Sequence, residues 1–370
     1  MLKVKGFMAD MLNWGILGAG RIARVLARGL AHSKTGRLAA VGSRSKEKAE
    51  AFAAEFGKGI RSHGSYDALL ADDGVQAVYI ATPHPMHALW AIRAAEAGKH
   101  VLCEKPLTLN HAEAVAVVQA ARENDVFLME AFMYRCHPQT QRVVDLLREK
   151  AIGDVRVIRA TFSFNAGWSP ESRLLANSLG GGGILDVGGY CTSMARLVAG
   201  VALGGDVAEP LEVAAAGHLG ATGVDEWTVA TLKFPGDIVA QLATGIEVQM
   251  ESTVHIFGSE GDLFIPTPWV VSREGGTSKL VLNKKGEKEP REILIETDRW
   301  LYGIEADTVA EHLEARQAPF PAMTWADSLG NMQTLDRWRA AIGLVYESER
   351  PEANRVPVRR PNNPRRRNAS

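Results

Sequence analysis

Cysteine is scarce in this chain: three among 370 residues, Cys103, Cys136 and Cys191. An odd number without metal-ligand spacing excludes a disulfide framework and points to a reducing compartment. The ten histidines show no such spacing either, so no metal is expected. No apolar run approaches the roughly 18 residues of a membrane span. The opening residues, Met1 to Asp10, carry no sustained apolar stretch and no twin arginine, so no export signal is expected. These absences together lead us to expect a soluble, cytoplasmic protein. A surplus of charge is missing too, with 42 Lys+Arg against 43 Asp+Glu. The balance is uneven, however. Arg355 to Ser370 hold six arginines and no acid, leaving 36 bases against 43 acids before them. A mildly acidic body argues against a broad nucleic-acid surface. The basic end, 351–370, reads as a solvated, disordered tail.

What the chain does have is glycine, 36 residues of it, above the usual share of about 7% and clustered. From Asn13 to about Phe132 short apolar runs alternate with helical patterns. Strands are expected at Trp14-Gly-Ile-Leu, Leu38-Ala-Ala-Val, Ala77-Val-Tyr-Ile-Ala, His100-Val-Leu-Cys and Val126 to Phe132. Helices are expected at Arg21 to Ala31, Lys46 to Phe56, His87 to Ala97 and His111 to Arg122. That alternation means an α/β domain with a doubly wound parallel sheet. After Pro138 the pattern changes. Val155 to Phe164 alternates as a half-buried strand does. Trp227 to Phe234 and Ile238 to Leu242 flank Pro235-Gly236-Asp237, and Val254 to Phe257 and Leu263 to Ile265 flank Gly258 to Gly261. Both are hairpin signals. The second domain is therefore expected to be α+β, with a large, mostly antiparallel sheet open on one face. Helices return at Gly303 to Glu314 and Trp325 to Tyr346, where Leu329, Met332, Leu335 and Trp338 form an apolar stripe. The expected division is 12–136, 137–350 and the tail 351–370.

Gly18-Ala19-Gly20-Arg21-Ile22-Ala23 sits directly between the first strand and the first helix. This is the dinucleotide fingerprint in its required context. Gly18 permits the tight turn, Gly20 lets the backbone approach a pyrophosphate, and Ala23 lets the helix pack on the strand. The backbone of Ala19, Arg21 and Ile22 then offers N–H groups at the positive end of the helix dipole. An NAD site usually places an acid at the end of the second strand, on the ribose 2′-hydroxyl. Here that strand runs into Ser43-Arg44-Ser45-Lys46, with no acid before Glu47. Ser43, Arg44 and Lys48 suit a 2′-phosphate instead. NADP is expected over NAD, with NAD open if Arg44 is merely solvated.

The fourth strand runs into Glu104-Lys105-Pro106. Ligands in such sheets bind beyond the carboxyl ends of the strands, which puts Thr82, Glu104 and Lys105 toward the cofactor and its substrate. His87 either meets the cofactor or simply occupies the first turn of a helix. The run Gly180 to Gly183 is costly in chain entropy. It suggests a turn hugging a ligand or another backbone. Asp186 and Tyr190 follow it at a spacing of four, able to point at one place if a helix begins there. Asn165, Trp168 and Arg173 lie in the loop before the glycines, where a tryptophan can stack on a sugar face and the other two can bond hydroxyls. Arg135 and His137 stand at the domain junction, Arg135 either near the ligand or in a structural salt bridge. Tyr302 is a weaker pocket candidate.

With these residues in view, the sequence resembles the glucose–fructose oxidoreductase and inositol dehydrogenase family. The resemblance spans about residues 12 to 350. It rests on Gly18-x-Gly20-x-x-Ala23, Thr82-Pro83 with His87, Ala97-Gly-Lys-His-Val101 leading into Glu104-Lys105-Pro106, and Gly181-Gly-Gly183 with Asp186-x-Gly188-x-Tyr190. Glu130-Ala-Phe-Met-Tyr-Arg135 and Tyr190 resemble the branch of dimeric dihydrodiol dehydrogenase and NADP-dependent D-xylose 1-dehydrogenase. Inositol dehydrogenases usually have His where this chain has Tyr190. The resemblance implies a Rossmann domain, a following open-faced domain that supplies the substrate pocket and often the oligomer interface, and a frequently cis Lys105–Pro106 bond. It implies that Lys105, Asp186 and Tyr190 carry the chemistry. A Lys105 ammonium near Tyr190 is expected to lower the pKa of the phenol toward that of a useful base; which of the two moves the proton the sequence leaves open. The expected function is NADP-dependent hydride transfer at a hydroxyl-bearing carbon of a sugar or polyol, in a homodimer or homotetramer. Two rival expectations remain: a glycosidase that keeps its nicotinamide and oxidises transiently, and a non-enzymatic cofactor-binding regulator.

Overall fold

The computed structural model of the chain describes residues 11 to 350. The basic tail expected at 351–370 lies outside the described residues. β1 (Leu12–Leu17) enters the first sheet with Trp14, Ile16 and Leu17 wholly buried, as a strand covered on both faces must. It is followed by α1 (Arg21–Leu30), β2 (Gly36–Gly42), α2 (Lys46–Phe56), β3 (Arg61–His63), α3 (Tyr66–Leu70), β4 (Ala77–Ile80), α4 (His87–Glu96), β5 (His100–Glu104), α5 (His111–Glu123) and β6 (Leu128–Ala131). The strands are all parallel, in the order β3-β2-β1-β4-β5-β6. The five expected strands are joined by a sixth, β3. Its three residues Arg61-Ser62-His63 are polar and sit at the sheet edge, so no apolar pattern marks them. Strand order reverses at β1 and β4. The crevice at that switch point opens beside Gly18 and Thr82.

Then come α6 (Pro138–Arg148), β7 (Val155–Ser163), α7 (Gly189–Ala202), β8 (Glu212–Leu219), β9 (Asp225–Lys233), β10 (Val239–Gly245), β11 (Val254–Gly258), β12 (Gly261–Ile265), β13 (Gly276–Lys284), β14 (Arg291–Thr297), α8 (Leu301–Glu311) and α9 (Trp325–Ala341). Eight strands form one sheet in the order β14-β13-β12-β11-β7-β10-β9-β8. All neighbours are antiparallel except β7 and β10. Both expected hairpins formed. Three of the eight strands, β8, β13 and β14, were not foreseen. β8, Glu-Val-Ala-Ala-Ala-Gly-His-Leu, is rich in alanine and glycine, which are poor strand formers; β13 and β14 alternate apolar and polar residues, a signal present in the sequence that went unread. α7 lies against one face of the sheet, with every residue from Gly189 to Val201 buried. The other face is open.

The last two helices return to the first domain. α8 crosses α1 so closely that a Cβ on Gly29 would stand 2.5 Å from Tyr302 Cβ. α9 packs on α5 and ends at Ala341, short of the expected Tyr346. Met332, Leu335 and Trp338 of the expected stripe are wholly buried, and Leu329 is partly buried. Asp327 of α9 holds the domain junction. Its carboxylate meets Arg135 at 2.6 Å and Arg196 at 2.5 Å, and all three side chains are buried.

Candidate active site

Lys105 directly follows β5 at the mouth of the crevice, and the Lys105–Pro106 peptide is cis. Its ammonium donates to the Asp186 carbonyl oxygen at 2.5 Å and stands 3.5 Å from the Asp186 carboxylate. Arg173 donates to the same carboxylate at 2.8 Å. Burial opposes ionisation of Asp186, but Lys105 and Arg173 together outweigh it and hold the carboxyl well below the usual range. Arg173 itself is still 55% exposed, so this ion network faces the solvent mouth.

Asp186 and Tyr190 enter on one helical segment. Its first turn, Ile184–Gly188, is π-helical, and Gly189 N–H reaches back to the Ile184 carbonyl. The Lys105 ammonium lies 5.2 Å from the centre of the Tyr190 ring, over its face. The ring is walled by Phe132, Phe162, Tyr134 and Trp269, with centroids 5.0 to 5.8 Å away. Its hydroxyl is 3.5 Å from Met133 Sδ, a weak acceptor. Burial, with Tyr302 and Glu104 nearby, pushes this phenol well above its ordinary range. This reverses the expected effect of Lys105. A cation over the ring face meets the π quadrupole rather than the phenolic oxygen, so it does little for a phenolate. In this arrangement the phenol of Tyr190 keeps its proton.

The four glycines hug protein, not an open cavity. A Cβ on Gly180 would meet Leu109 at 2.7 Å, one on Gly181 the Leu174 carbonyl oxygen at 2.5 Å, and one on Gly182 the Asp225 carboxylate at 2.1 Å.

The glycine turn at β1 has the features of a dinucleotide cradle. Gly18 has φ +108°, and a Cβ there would stand 2.8 Å from the Ala81 carbonyl oxygen. Gly20 would meet nothing within 4 Å, and it caps α1 without any side-chain acceptor. The first-turn N–H groups, from Arg21 and Ile22 onward, are thus free for a phosphate. Ala19 contributes its carbonyl to Arg24 at 2.8 Å, which braces the loop. Thr82 Oγ1, at the adjoining strand end, is buried without a partner among the described residues. At the end of β2, Ser43 is buried, Arg44 and Lys48 are exposed, and the nearest acid, Glu47, accepts from Ser45 at 2.7 Å. No carboxylate is left at the strand end for a 2′-hydroxyl.

The comparisons with known proteins agree with this geometry. A family model described as an oxidoreductase family with an NAD-binding Rossmann fold matches residues 12–132. The GFO/IDH/MocA C-terminal domain matches residues 140–264. Trans-1,2-dihydrobenzene-1,2-diol dehydrogenase of Mus musculus is 32% identical over 345 residues, 92% of this chain and 99% of its own length. The chain belongs to the GFO/IDH/MocA family. It is an oxidoreductase that uses a nicotinamide dinucleotide. A 3-ketoreductase of Actinomadura kijaniata, solved with NADP and TDP-benzene, superposes with a TM-score of 0.78 at 29% identity, over 90% of this chain and 98% of its own. An aldose–aldose oxidoreductase of Caulobacter crescentus, complexed with glycerol, gives 0.78 at 25% identity, over 90% and 97%.

The structure gives the other candidate residues the following surroundings. His87 is wholly buried, with Nδ1 2.8 Å from the Pro106 carbonyl and Nε2 2.8 Å from the Thr82 carbonyl. Burial pushes the imidazole down, against the two carbonyls, which favour its protonated form; the ring lies between the two strand ends. Glu104 accepts from the Tyr79 hydroxyl and, at 3.3 Å, from the Lys105 N–H; its carboxyl is raised by burial. Arg135 is bound to Asp327 and Ser193, the structural alternative. His137 caps α6 by accepting from Gln139 N–H at 3.0 Å. Tyr302 is buried on α8. Asn165 accepts from Gly167 N–H on its own loop at 3.0 Å, and Trp168 is 58% exposed. Arg173 is the member of that loop drawn into the ion network. Among the described residues no group of three His, Cys, Asp or Glu is placed to hold a metal. No helix there is long and apolar enough to cross a membrane.

One residue of the network went unrecognised. His84 is buried, its Nδ1 2.9 Å from the Gly180 carbonyl, and burial, with His87 and Arg173 beside it, pushes it down to about 3. A neutral histidine therefore bridges β4 to the glycine run. Its setting, Pro83-His84-Pro85, carries no signal for that role.

Proposed function

We propose that the chain is an NADP-dependent dehydrogenase or reductase acting at a hydroxyl-bearing carbon of a sugar, polyol or cyclic diol. Residues 12–136 bind the cofactor and 137–350 supply the substrate wall. The observation that carries this reading is the convergence of the Lys105 ammonium, the Asp186 carboxylate and the Tyr190 ring at the mouth of the crevice. When bound, the nicotinamide supplies the hydride acceptor or donor. Gly18, Ala19, Gly20, Arg21 and Ile22 hold the pyrophosphate, and Thr82 offers its hydroxyl beside them. Tyr190, neutral, hands its phenolic proton to the substrate oxygen in the reducing direction and takes it back in the oxidising one. Lys105 stabilises negative charge on that oxygen. Asp186 and Arg173 set the position of the ammonium and bond neighbouring hydroxyls, with Asn165 and Trp168 closing over the sugar. The aromatic wall around Tyr190 suits the apolar face of a ring. Absorbance at the reduced-nicotinamide band, read with NADP and NAD side by side across aldoses, polyols and trans-1,2-dihydrobenzene-1,2-diol, tests the reading. Net hydrolysis without cofactor turnover, or no turnover at all, would replace it.

Arg44, with Ser43 and Lys48 beside it, is read as the 2′-phosphate clamp. A hydrogen bond to a charged group contributes about 1.5–3 kcal/mol. Arg44→Ala is therefore expected to raise KM for NADP about 10- to 100-fold and leave KM for NAD unchanged. Equal effects on both cofactors would remove the clamp.

We also infer a homodimer or homotetramer formed through the open sheet face. Trp227, Val229 and Leu294 are exposed there, and a cavity of about 690 Å³ is lined by Ala216, His218, Trp227, Val229, Val248 and Met250. Apolar surface of this kind is a liability on a monomer. Light scattering is expected to return at least twice the 40.0 kDa chain mass; a single-chain mass would dismiss the interface.

A further inference from the structure

The segment that carries Asp186 and Tyr190 is gripped from behind by a group outside the candidate site. Asp225, the first residue of β9, is wholly buried. Its Oδ2 accepts from the Ile184 N–H at 2.8 Å, and the Gly183 N–H faces the same carboxyl. Its Oδ1 has no hydrogen-bond partner among the described residues and lies against Gly182, where a Cβ would stand 2.1 Å from it. Gly182 has φ +108°, so both its conformation and the close approach demand glycine. Two hydroxyls complete the grip. Tyr346 donates to the Gly181 carbonyl at 2.7 Å, and Thr244 to the Gly183 carbonyl at 3.2 Å. The chain of contacts then leads into the site. Asp186 N–H bonds to the Gly182 carbonyl at 3.2 Å, and the Asp186 carbonyl receives the Lys105 ammonium at 2.5 Å.

We propose that Asp225, assisted by Tyr346, is a positioning residue: it seats the glycine run and so sets the height of Asp186 and the aim of Lys105. The proposal rests on the reading of Lys105, Asp186 and Tyr190 as the catalytic set. Asp225 itself touches neither crevice nor substrate. Its charge state matters because a carboxylate holds two N–H groups at a helix start more firmly than a neutral acid does. Burial pushes this carboxyl up to about 7. Arg339 of α9 faces it and favours the anion, the Tyr346 hydroxyl packs beside it, and Asp336 and Glu349 share the charge of Arg339. The grip is therefore firm above pH 7 and slackens as the pH falls through that value. Stability runs the other way. A raised carboxyl pKa means that the native state holds the proton more tightly, so this group's contribution to stability falls as pH rises from about 4 to about 7. Removing its charge does not by that route destabilise the protein at pH 8.

Asp225→Asn keeps the shape and removes the charge. The holoenzyme is compared with wild type at pH 8 by amide exchange over 180–190, and by turnover of trans-1,2-dihydrobenzene-1,2-diol and D-xylose with NADP across pH 5.5 to 9. Exchange in that segment is expected to rise about tenfold and kcat to fall about tenfold, from the loss of one charge-assisted bond. Wild-type kcat/KM is expected to decline below pH 7, while the variant's profile stays flat through that limb. NADPH affinity is expected to stay within about twofold. Unchanged exchange, or a wild-type pH profile in the variant, overturns the proposal. Should Asp225→Asn fail to fold, Tyr346→Phe decides: loosened exchange over 180–190 with a kcat loss of about two- to fivefold supports the grip, and wild-type values overturn it. Lys105→Ala runs beside both. If that variant keeps full turnover, the catalytic reading has failed and the exchange result alone judges Asp225. If it is inactive while Asp225→Asn behaves as wild type, only the positioning proposal has failed.

Discussion

Lys105→Ala is expected to lower kcat about a thousandfold while the Kd for NADPH moves less than about threefold. Positioned proton-transfer and charge-stabilising groups contribute about 10²- to 10⁴-fold each, and Lys105 stands where both roles meet. Its ammonium is bonded to Asp186 at 2.5 Å and lies over the face of Tyr190. Cofactor affinity, by contrast, is expected to come from the glycine turn after β1 and the residues after β2, which Lys105 does not touch. The two readouts must therefore separate. The substitution also leaves Asp186 with Arg173 alone, so its carboxyl should climb toward the ordinary range; carboxylate titration by NMR would show the change. Tyr190→Phe is expected to be milder, about a hundredfold, because Lys105 still stabilises charge on the substrate oxygen. Full turnover in Lys105→Ala would end the proposed mechanism.

Asp327→Ala is expected to cost about 3–5 kcal/mol of stability, the usual penalty for stripping a buried ion pair of one partner. The residue neutralises Arg135 and Arg196, whose side chains are both wholly buried. Arg196 keeps Glu209 as a second acid at 2.5 Å, but Arg135 is left, among the described residues, with hydrogen bonds to Ser193 and the Pro321 carbonyl and no acid. The pH dependence follows from the sign of the shift. Burial resists ionisation of Asp327, yet the two guanidiniums outweigh it and hold the carboxyl below its ordinary value of 3.8. Its stabilising contribution is thus complete above about pH 4 and is lost as pH falls through the lowered native value. Urea denaturation at pH 7 and at pH 3 checks both points. The gap between wild type and variant should be wide at pH 7 and narrower at pH 3. Equal midpoints at pH 7 would mean that the junction is held by other contacts.

The features legible in the sequence were those whose meaning is local. A glycine fingerprint works because one turn of chain connects a strand to a helix, so six consecutive residues, Gly18 to Ala23, suffice to show it. Alternating apolar runs identified the parallel domain, and glycine-bearing turns identified two hairpins. The short strand β3 and the alanine-rich β8 escaped because neither has the composition that marks a strand; β13 and β14 have that composition and were missed all the same. The misjudged element of the site was electrostatic. Nothing in the spacing of Asp186 and Tyr190 says that an aromatic wall of Phe132, Phe162 and Trp269 encloses the phenol. That wall, with its desolvation, reverses the direction in which Tyr190 shifts.

The sequence by itself thus determined the class of fold, the use of a dinucleotide and the identity of Lys105, Asp186 and Tyr190 as candidates. Only the tertiary structure decided which polar residues face the crevice and which brace it. Arg135 turned out to hold Asp327 across 192 residues, and Asp225 to hold Ile184 across 41. The physical reason is range. Backbone conformation and periodicity are written in neighbouring residues, whereas burial, charge pairing and the pKa that follows depend on which distant side chain packing brings alongside.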